Sequence, residues 1–223
     1  MSQNQWTEVD RYFAGLLLPP DPALDAALQA TADAGMPLIN VAPNQGKLLY
    51  MLALALGARS ILEIGTLAGY STIWMARALP ADGRLVTLEI DPRHAEVARA
   101  NIARAGLADV VDLRLGRAID TLPQLAAEAQ RPFDLVFIDA DKASTKEYFD
   151  WALKLTRRGS LIIVDNVVRG GAVTDADSAD ASVQGVRRFV AALAAEPRVT
   201  ATAIQTVGSK GYDGMAIVTV VGQ

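Results

Sequence analysis

Cysteine is absent from the 223-residue sequence, and histidine occurs once, at His94. Without cysteine the chain has no disulfide framework, thiolate zinc site, iron–sulfur cluster or cysteine nucleophile. A single histidine also gives little support to a Ser-His-Asp triad or to a metal site built from several histidines. We expect His94 itself, at the outer start of a helix, to be solvated and to have no role.

The chain also has no excess of basic residues over acidic ones. The chain has 21 Lys and Arg residues against 25 Asp and Glu residues, which gives a formal net charge of −4. Such a chain is poorly suited to bind the phosphate backbone of nucleic acids or an anionic membrane surface. We therefore expect neither nucleic acid nor a membrane among its partners.

Long apolar runs are missing too. No run reaches the ~18 residues that a membrane-spanning helix needs. The polar segment 1–11 lacks the basic-then-apolar order of a signal peptide, so we expect a cytoplasmic protein. A chain of 223 residues can bury roughly 70% of its unfolded surface in one core.

Short apolar segments alternate with helical segments in the middle of the chain. Strands are predicted at 60–64, 84–90, 110–115, 133–138 and 160–164, and helices at 46–56, 71–79, 92–105, 118–130, 144–155 and 182–195. This alternation predicts βαβ units and a parallel sheet, with a turn at 158–159. The last two strands, 199–206 and 215–221, are predicted to be antiparallel because the glycine-rich link between them is too short for a crossover helix.

The first 45 residues have helical patterns interrupted at Pro19-Pro20. We predict that residues 1–45 form a helical appendage and that residues 46–223 form one α/β domain. The sequence contains neither an internal repeat nor a linker that would divide it further.

A glycine-rich turn follows the first predicted strand, at Gly65-Thr66-Leu67-Ala68-Gly69. Its G-x-x-x-G spacing differs from the fingerprints of NAD and NTP sites, and by itself it is equally well explained by packing. Glu89 ends the next strand, where an acid can accept hydrogen bonds from both ribose hydroxyls. Together the turn and Glu89 favour a ligand of the adenosine type.

Acidic residues also follow the fourth and fifth predicted strands, at Asp139-Ala140-Asp141-Lys142 and at Asp165-Asn166. Acids at 139 and 141 also suit the first turn of a helix. If the two strands are neighbours, however, Asp139, Asp165 and Asn166 converge at one edge of the sheet. Three oxygen ligands without Cys or His select a hard cation, Mg²⁺ first and otherwise Ca²⁺ or Mn²⁺.

Taken together, these residues resemble the cation-dependent class I O-methyltransferases, the group of caffeoyl-CoA and catechol O-methyltransferases. The likeness extends from about Val41 to the C-terminus. Its densest matches are 62–66, 69–71, 137–142 and 165–166, and segment 38–43 is similar to the one that precedes the family's first core helix.

The resemblance implies a Rossmann-like, mostly parallel seven-stranded sheet with the last strand antiparallel, helices on both faces, and a homodimer. It also implies S-adenosylmethionine as methyl donor. The implied cofactor-binding residues are Val41, Glu63, Gly65, Thr66, Ser71, Glu89, Ala118, Asp139 and Asp141. The implied metal ligands are Asp139, Asp165 and Asn166, and the implied catalytic residues are Lys142, as general base, and Asp139.

The resemblance further implies transfer of the methyl group to one hydroxyl of a catechol-type phenolic molecule. A CoA thioester is less favoured, because Gly170 replaces a substrate-contacting acid and Arg11 is the only basic residue before Lys47. Two alternatives remain at this point. One is a metal-independent methyltransferase with another small acceptor, and the other is a non-catalytic nucleoside-binding scaffold.

Overall fold

A computed structural model describes residues 2–128 and 131–222. Its seven-stranded sheet has the order β3-β2-β1-β4-β5-β7-β6. The strands are β1 Ser60–Ile64, β2 Arg84–Glu89, β3 Val111–Leu115, β4 Phe133–Ile138, β5 Thr156–Asp165, β6 Val199–Gly208 and β7 Gly211–Val220. Strands β1 to β5 are parallel, whereas β7 is antiparallel to both β5 and β6. The predicted Rossmann-like sheet with an antiparallel last strand is therefore confirmed.

Eight α-helices surround the sheet in the described part of the chain. They are α1 Gln3–Leu17, α2 Pro22–Asp33, α3 Pro43–Ala55, α4 Tyr70–Ala76, α5 Pro92–Arg104, α6 Ala118–Glu128, α7 Thr145–Leu155 and α8 Ala181–Ala195. The carboxylate of Asp91 caps α5 by accepting the backbone N–H of Arg93, as expected for an Asp-Pro start. The predicted end of α6 at residue 130 lies outside the described residues.

The sheet separates two apolar cores because successive side chains of a strand point to opposite faces. In β1, Leu62 and Ile64 pack with residues of α6, α7 and α8 on one face. Ile61 packs on the other face with residues of α2, α3, α4 and α5. The helices therefore cover both faces and leave the carboxyl ends of the parallel strands open at one edge.

Two local predictions are wrong. Residues 158–159 lie inside β5 rather than in a turn, because β5 begins at Thr156 and its pairing with β4 shifts between Phe133 and Leu135. The predicted loop 207–214 is a tight hairpin whose strands pair up to Gly208 and Gly211. At Gly214 a Cβ atom would lie 2.2 Å from the carbonyl oxygen of Ile204, so this glycine permits close strand pairing.

The N-terminal helices are attached to the sheet in different ways. Helix α2 contributes Leu24 and Ala27 to the second core, and its Asp21 forms an ion pair with Arg77 of the C-cap of α4. Helix α1 lies against the β6–β7 hairpin, where Asp10 accepts the backbone N–H of Ser209 at 2.7 Å. The division into 1–45 and 46–223 stays a prediction. Among the described residues, none of the helices combines the length and the apolarity required to cross a bilayer.

Candidate functional site

A cavity of about 980 Å³ opens at the carboxyl ends of β1, β2, β4 and β5. The strand order reverses at β1, which is where ligands bind in open α/β sheets. The predicted site residues on its wall are Val41, Gly65, Thr66, Ser71, Glu89, Ala118, Asp139, Asp141, Lys142, Asp165 and Asn166. Glu63 lies beneath the wall. The fold thus brings together residues that are separated by more than 120 positions in the sequence.

The glycine-rich turn joins the end of β1 to α4. Gly65 has a φ of +99°, and a Cβ atom on it would lie 2.1 Å from the carbonyl oxygen of Asp139. Only glycine has both this conformation and this contact available. Close approach of the two chain segments therefore sets Asp139 beside the turn.

Glu63 is fully buried below the turn. Its carboxyl group accepts the hydroxyls of Ser71 at 2.6 Å and of Thr87 at 2.7 Å, and that of Thr72. Burial raises the pKa of Glu63 to about 7, although these hydroxyls act in the opposite direction. Glu63 is linked to the cavity wall through Ser71 and, by way of Thr87, through Thr66, so its contribution there is to fix these hydroxyl groups.

Glu89 is held by four backbone N–H groups. One oxygen accepts from Thr66 at 3.3 Å and Leu67 at 2.8 Å. The other accepts from Ile90 and Asp91, both at 2.9 Å. Its carboxylate is therefore oriented by the turn after β1 and by the start of α5 before any ligand arrives.

Contrary to the sequence-based prediction, the structure does not place His94 in solvent. Its side chain is 21% exposed, and its Nδ1 lies 3.7 Å from a carboxylate oxygen of Glu89. It lines the cavity together with the exposed side chain of Ile90. The sequence did contain a signal for this position: His94 lies in the first turn of α5, and α5 begins shortly after Glu89, the acid that ends β2.

Asp141 lies on the wall between β4 and α7. Burial opposes its ionisation, but hydrogen bonds from Tyr148 and Ser144 outweigh burial and lower the pKa of Asp141. The hydroxyl of Tyr148 donates to one oxygen and the backbone N–H of Ser144 donates to the other at 3.0 Å. Sequence reasoning missed Tyr148, which lies seven residues further along the chain.

Asp139 and Asp165 follow paired positions of neighbouring strands, since Ile138 of β4 is in register with Val164 of β5. Lys142 donates to Asp139 across 2.8 Å and is itself only 10% exposed. Burial, and then the charge of Asp139, raise the pKa of Asp165 to about 7. Because the charge of Asp139 opposes ionisation of Asp165, a cation close to both carboxylates would be stabilising.

Two further residues complete this end of the cavity. Gln45 of α3 donates its amide N–H to Asp165 at 2.6 Å, a contact across 120 residues that the sequence patterns did not indicate. Asn166 adopts a φ of +57°, a left-handed conformation that asparagine tolerates better than most residues.

The chemistry of this donor set fits a hard divalent cation. In the described ranges no group of three or more His, Cys, Asp or Glu side chains has a metal-binding arrangement. The predicted set differs in kind because it consists of the carboxylates of Asp139 and Asp165 and the amide of Asn166. These are oxygen donors, which Mg²⁺ and Ca²⁺ prefer.

Comparison with known proteins extends over nearly the whole chain. The family described as O-methyltransferase matches residues 20–219. A catechol O-methyltransferase from Niastella koreensis is 57% identical over 217 residues, which cover 97% of this chain and 98% of that protein.

Two solved structures have the same fold. The O-methyltransferase from Bacillus cereus in complex with SAH superposes with a TM-score of 0.97 at 55% identity, covering 98% of this chain and 100% of that one. The O-methyltransferase TomG from Streptomyces achromogenes, involved in tomaymycin synthesis and bound to SAM, gives 0.97 at 55% identity with 100% coverage of both chains. These relatives therefore match this chain in sequence and in fold from the N-terminal helices to the last strand.

Proposed function

This chain belongs to the O-methyltransferase family and is an S-adenosylmethionine-dependent O-methyltransferase, and we propose that its acceptor is a catechol-type small molecule. We propose in addition that a divalent cation, Mg²⁺ first, is bound by Asp139, Asp165 and Asn166. The observation that supports this most is the pair Asp139 and Asp165 at adjacent strand ends, beside Lys142 and in one cavity with the glycine turn.

The cofactor end of the cavity consists, in this proposal, of Val41, Gly65, Thr66, Ser71, Glu89, Ala118, Asp139 and Asp141, with Glu63 fixing Ser71 from below. Bound S-adenosylmethionine supplies a methyl group attached to a positively charged sulfonium. Glu89 accepts the ribose hydroxyls, and the pre-oriented carboxylate supports this role because little reorganisation is needed. Ile90, 64% exposed on the cavity wall, offers an apolar contact for the flat adenine ring.

The acceptor end combines apolar and polar groups. Leu38 and Ile39 line the cavity and are 58% and 70% exposed, which suits an aromatic ring. A phenol ionises with a pKa near ~10, so at neutral pH its hydroxyl needs help to become a nucleophile. A bound divalent cation would lower that pKa and hold two vicinal oxygens.

Lys142 receives the proton of the attacking hydroxyl in this proposal. Its Nζ lies 2.8 Å from Asp139, and only the neutral amine can accept a proton. The base form therefore requires that the negative charge of Asp139 be offset by another cation. This requirement links the proposed metal ligand to the proposed base.

A homodimer is also part of the proposal. On α1, the residues Val9, Tyr12, Phe13, Leu16 and Leu17 are 47–67% exposed and recur at helical spacing along one stripe. An exposed apolar stripe of this kind is typical of an association surface. The cytoplasmic location stays a prediction.

The test is an assay with purified protein, S-adenosylmethionine, Mg²⁺ and catechol, with and without EDTA, in which methylated product is measured by mass spectrometry. We expect product that disappears with EDTA and returns with excess Mg²⁺. Asp165→Asn should lower kcat/KM by more than the about 10–100-fold typical of groups that merely orient metal ligands.

The matched control is Asp109→Asn, which removes the same charge from an exposed position just before β3, at the opposite end of the sheet. It should behave as the wild type. Product that survives EDTA would contradict the role of the cation and favour metal-independent methyl transfer. Absence of product from a protein that still binds S-adenosylmethionine would contradict the catechol acceptor.

A further inference from the structure

Arg169 is a cationic residue on the cavity wall whose charge is weakly paired. Its closest carboxylate contact is with Asp213, at 4.0 Å. Its Nε atom is buried and has no hydrogen-bond partner in the described part of the protein. A buried donor without a partner costs free energy, whereas the side chain as a whole is 30% exposed and leaves the rest of the guanidinium available to a ligand.

The backbone holds Arg169 firmly in place. Its φ is +55°, an unusual conformation for a non-glycine residue that persists only where the surroundings impose it. Here Asp213 of β7 accepts the backbone N–H groups of Val168 and Arg169, both at 3.0 Å. Arg169 follows Asn166 by three residues and lines the same cavity as the proposed metal ligands.

Lys210 is a second cation on the same wall, at the tip of the β6–β7 hairpin. Its Nζ donates to the carbonyl oxygen of Leu38 at 2.8 Å, and it takes part in none of the ion pairs found among residues 2–128 and 131–222. The nearby carboxylate of Asp10 is occupied by Ser209 and Asn44. Partial burial lowers the pKa of Lys210, as expected for an ammonium without an anionic partner.

Both cations belong to the acceptor end of the cavity. Leu38, which contacts Lys210, is an apolar wall residue of that end, and Arg169 shares its short segment with Asp165 and Asn166. Both cations line the same cavity as the carboxylates of Asp139 and Asp165. An acceptor whose hydroxyls lie at these carboxylates is therefore surrounded by a wall that also carries two positive charges.

We propose that Arg169 and Lys210 bind a carboxylate substituent of the acceptor, so that this enzyme prefers catechol acids over neutral or cationic catechols. This inference rests on the proposed catechol function of the same site. An arginine fork and a lysine ammonium are suited to a carboxylate. A catechol amine would meet like charge at the same place, which selects against it.

The test compares three acceptors that share the catechol ring: caffeate, its methyl ester and dopamine. Wild-type kcat/KM should be highest for caffeate and lowest for dopamine. In Arg169→Gln and in Lys210→Gln, the ratio of kcat/KM for caffeate over the ester should fall about tenfold or more, which is the usual effect of losing a hydrogen bond to a charged group. The same ratio should be less sensitive to salt in both variants.

Arg158→Gln is the matched control, because it removes an exposed arginine near the start of β5, far from the cavity. Its ratio should equal that of the wild type. A partly unfolded variant lowers kcat/KM for both acceptors equally and leaves the ratio unchanged, so the readout is independent of stability.

Equal wild-type kcat/KM for caffeate and its ester, or an unchanged ratio in both variants, would overturn the proposed recognition of the carboxylate. The proposed catechol function would not be affected by either result. Lack of methylation of all three acceptors would overturn the proposed catechol function and this inference with it.

Discussion

At the scale of single residues, Glu63 shows how burial changes a side chain's chemistry. Its carboxyl group is enclosed below the glycine turn and accepts three hydroxyls. Burial nevertheless dominates, and the pKa rises to about 7. Around neutral pH the group therefore titrates inside the folded protein, directly beneath Ser71.

We predict that Glu63 makes stability depend on pH. Between its ordinary pKa and about 7, the folded state binds a proton that the unfolded state has already released. Raising the pH through this window therefore destabilises the fold, by about 3 kcal/mol at most. Glu63→Gln removes the titration but keeps the size of the side chain.

Urea unfolding of wild type and Glu63→Gln from pH 5 to 8 would measure this effect, with EDTA in both series. The free energy of unfolding of the wild type should fall more steeply with rising pH than that of the variant. Parallel curves would show that Glu63 has the same pKa in both states.

At the scale of elements, the connection between β1 and α4 determines where Asp139 lies. Gly65 and the carbonyl of Asp139 are in direct contact, so the turn after β1 and the end of β4 cannot move independently. Gly57, after α3, also has a positive φ, of +61°, but a Cβ atom there would meet nothing within 4 Å. A comparison of the two glycines therefore separates the cost of the backbone conformation, which both share, from the cost of steric crowding, which arises only at Gly65.

We predict that Gly57→Ala costs about 1 kcal/mol, the usual penalty for a left-handed non-glycine residue. Gly65→Ala should cost clearly more and should also lower kcat/KM by about 100-fold, because a displacement of about 1 Å at a reacting centre has that effect. Denaturant unfolding and methyl-transfer kinetics on both variants measure the two losses. Equal losses in both variants would mean that the contact with Asp139 is unimportant.

At the scale of the whole molecule, the exposed stripe of α1 is the feature that a monomer does not explain. Tyr12, Leu16 and Leu17 are each at least 64% exposed, although Asp10 and Asn44 attach the helix to the rest of the fold. Several large apolar side chains on one firmly attached surface favour burial against a second copy.

We predict that analytical ultracentrifugation gives a mass about twice the 23.7 kDa of the chain and that Leu16→Glu shifts it towards the monomer. A charge introduced into a buried apolar interface is destabilising because it loses its hydration. Val190→Glu on α8, where the valine is 42% exposed, is the control and should leave the mass unchanged. A monomeric wild type would contradict the dimer.

Local patterns in the sequence determined the core of the fold. The bounds of β1 and β4 are those predicted. In a chain where strands and helices alternate, a short apolar run that ends in glycine or an acid is compatible with little besides a buried strand. Asp91-Pro92 starts α5 through a cap that depends on neighbouring residues alone. Glycines are ambiguous in the same patterns: those at 208, 211 and 214 suggested a loop, although the last of them permits strand pairing.

Tertiary structure decided the properties that depend on distant residues. Motifs identified Glu89 and Asp165, but the four backbone donors around Glu89 come from two separate turns, and Gln45 reaches Asp165 across 120 residues. Arg169, His94 and Lys210 belong to no motif, and only the packing of α5, the β6–β7 hairpin and the segment after β5 brings them to one cavity. Sequence determined which elements form and which groups end the strands. The arrangement of the strands determined which of these groups meet, because burial, charge and hydrogen bonding depend on neighbours in space.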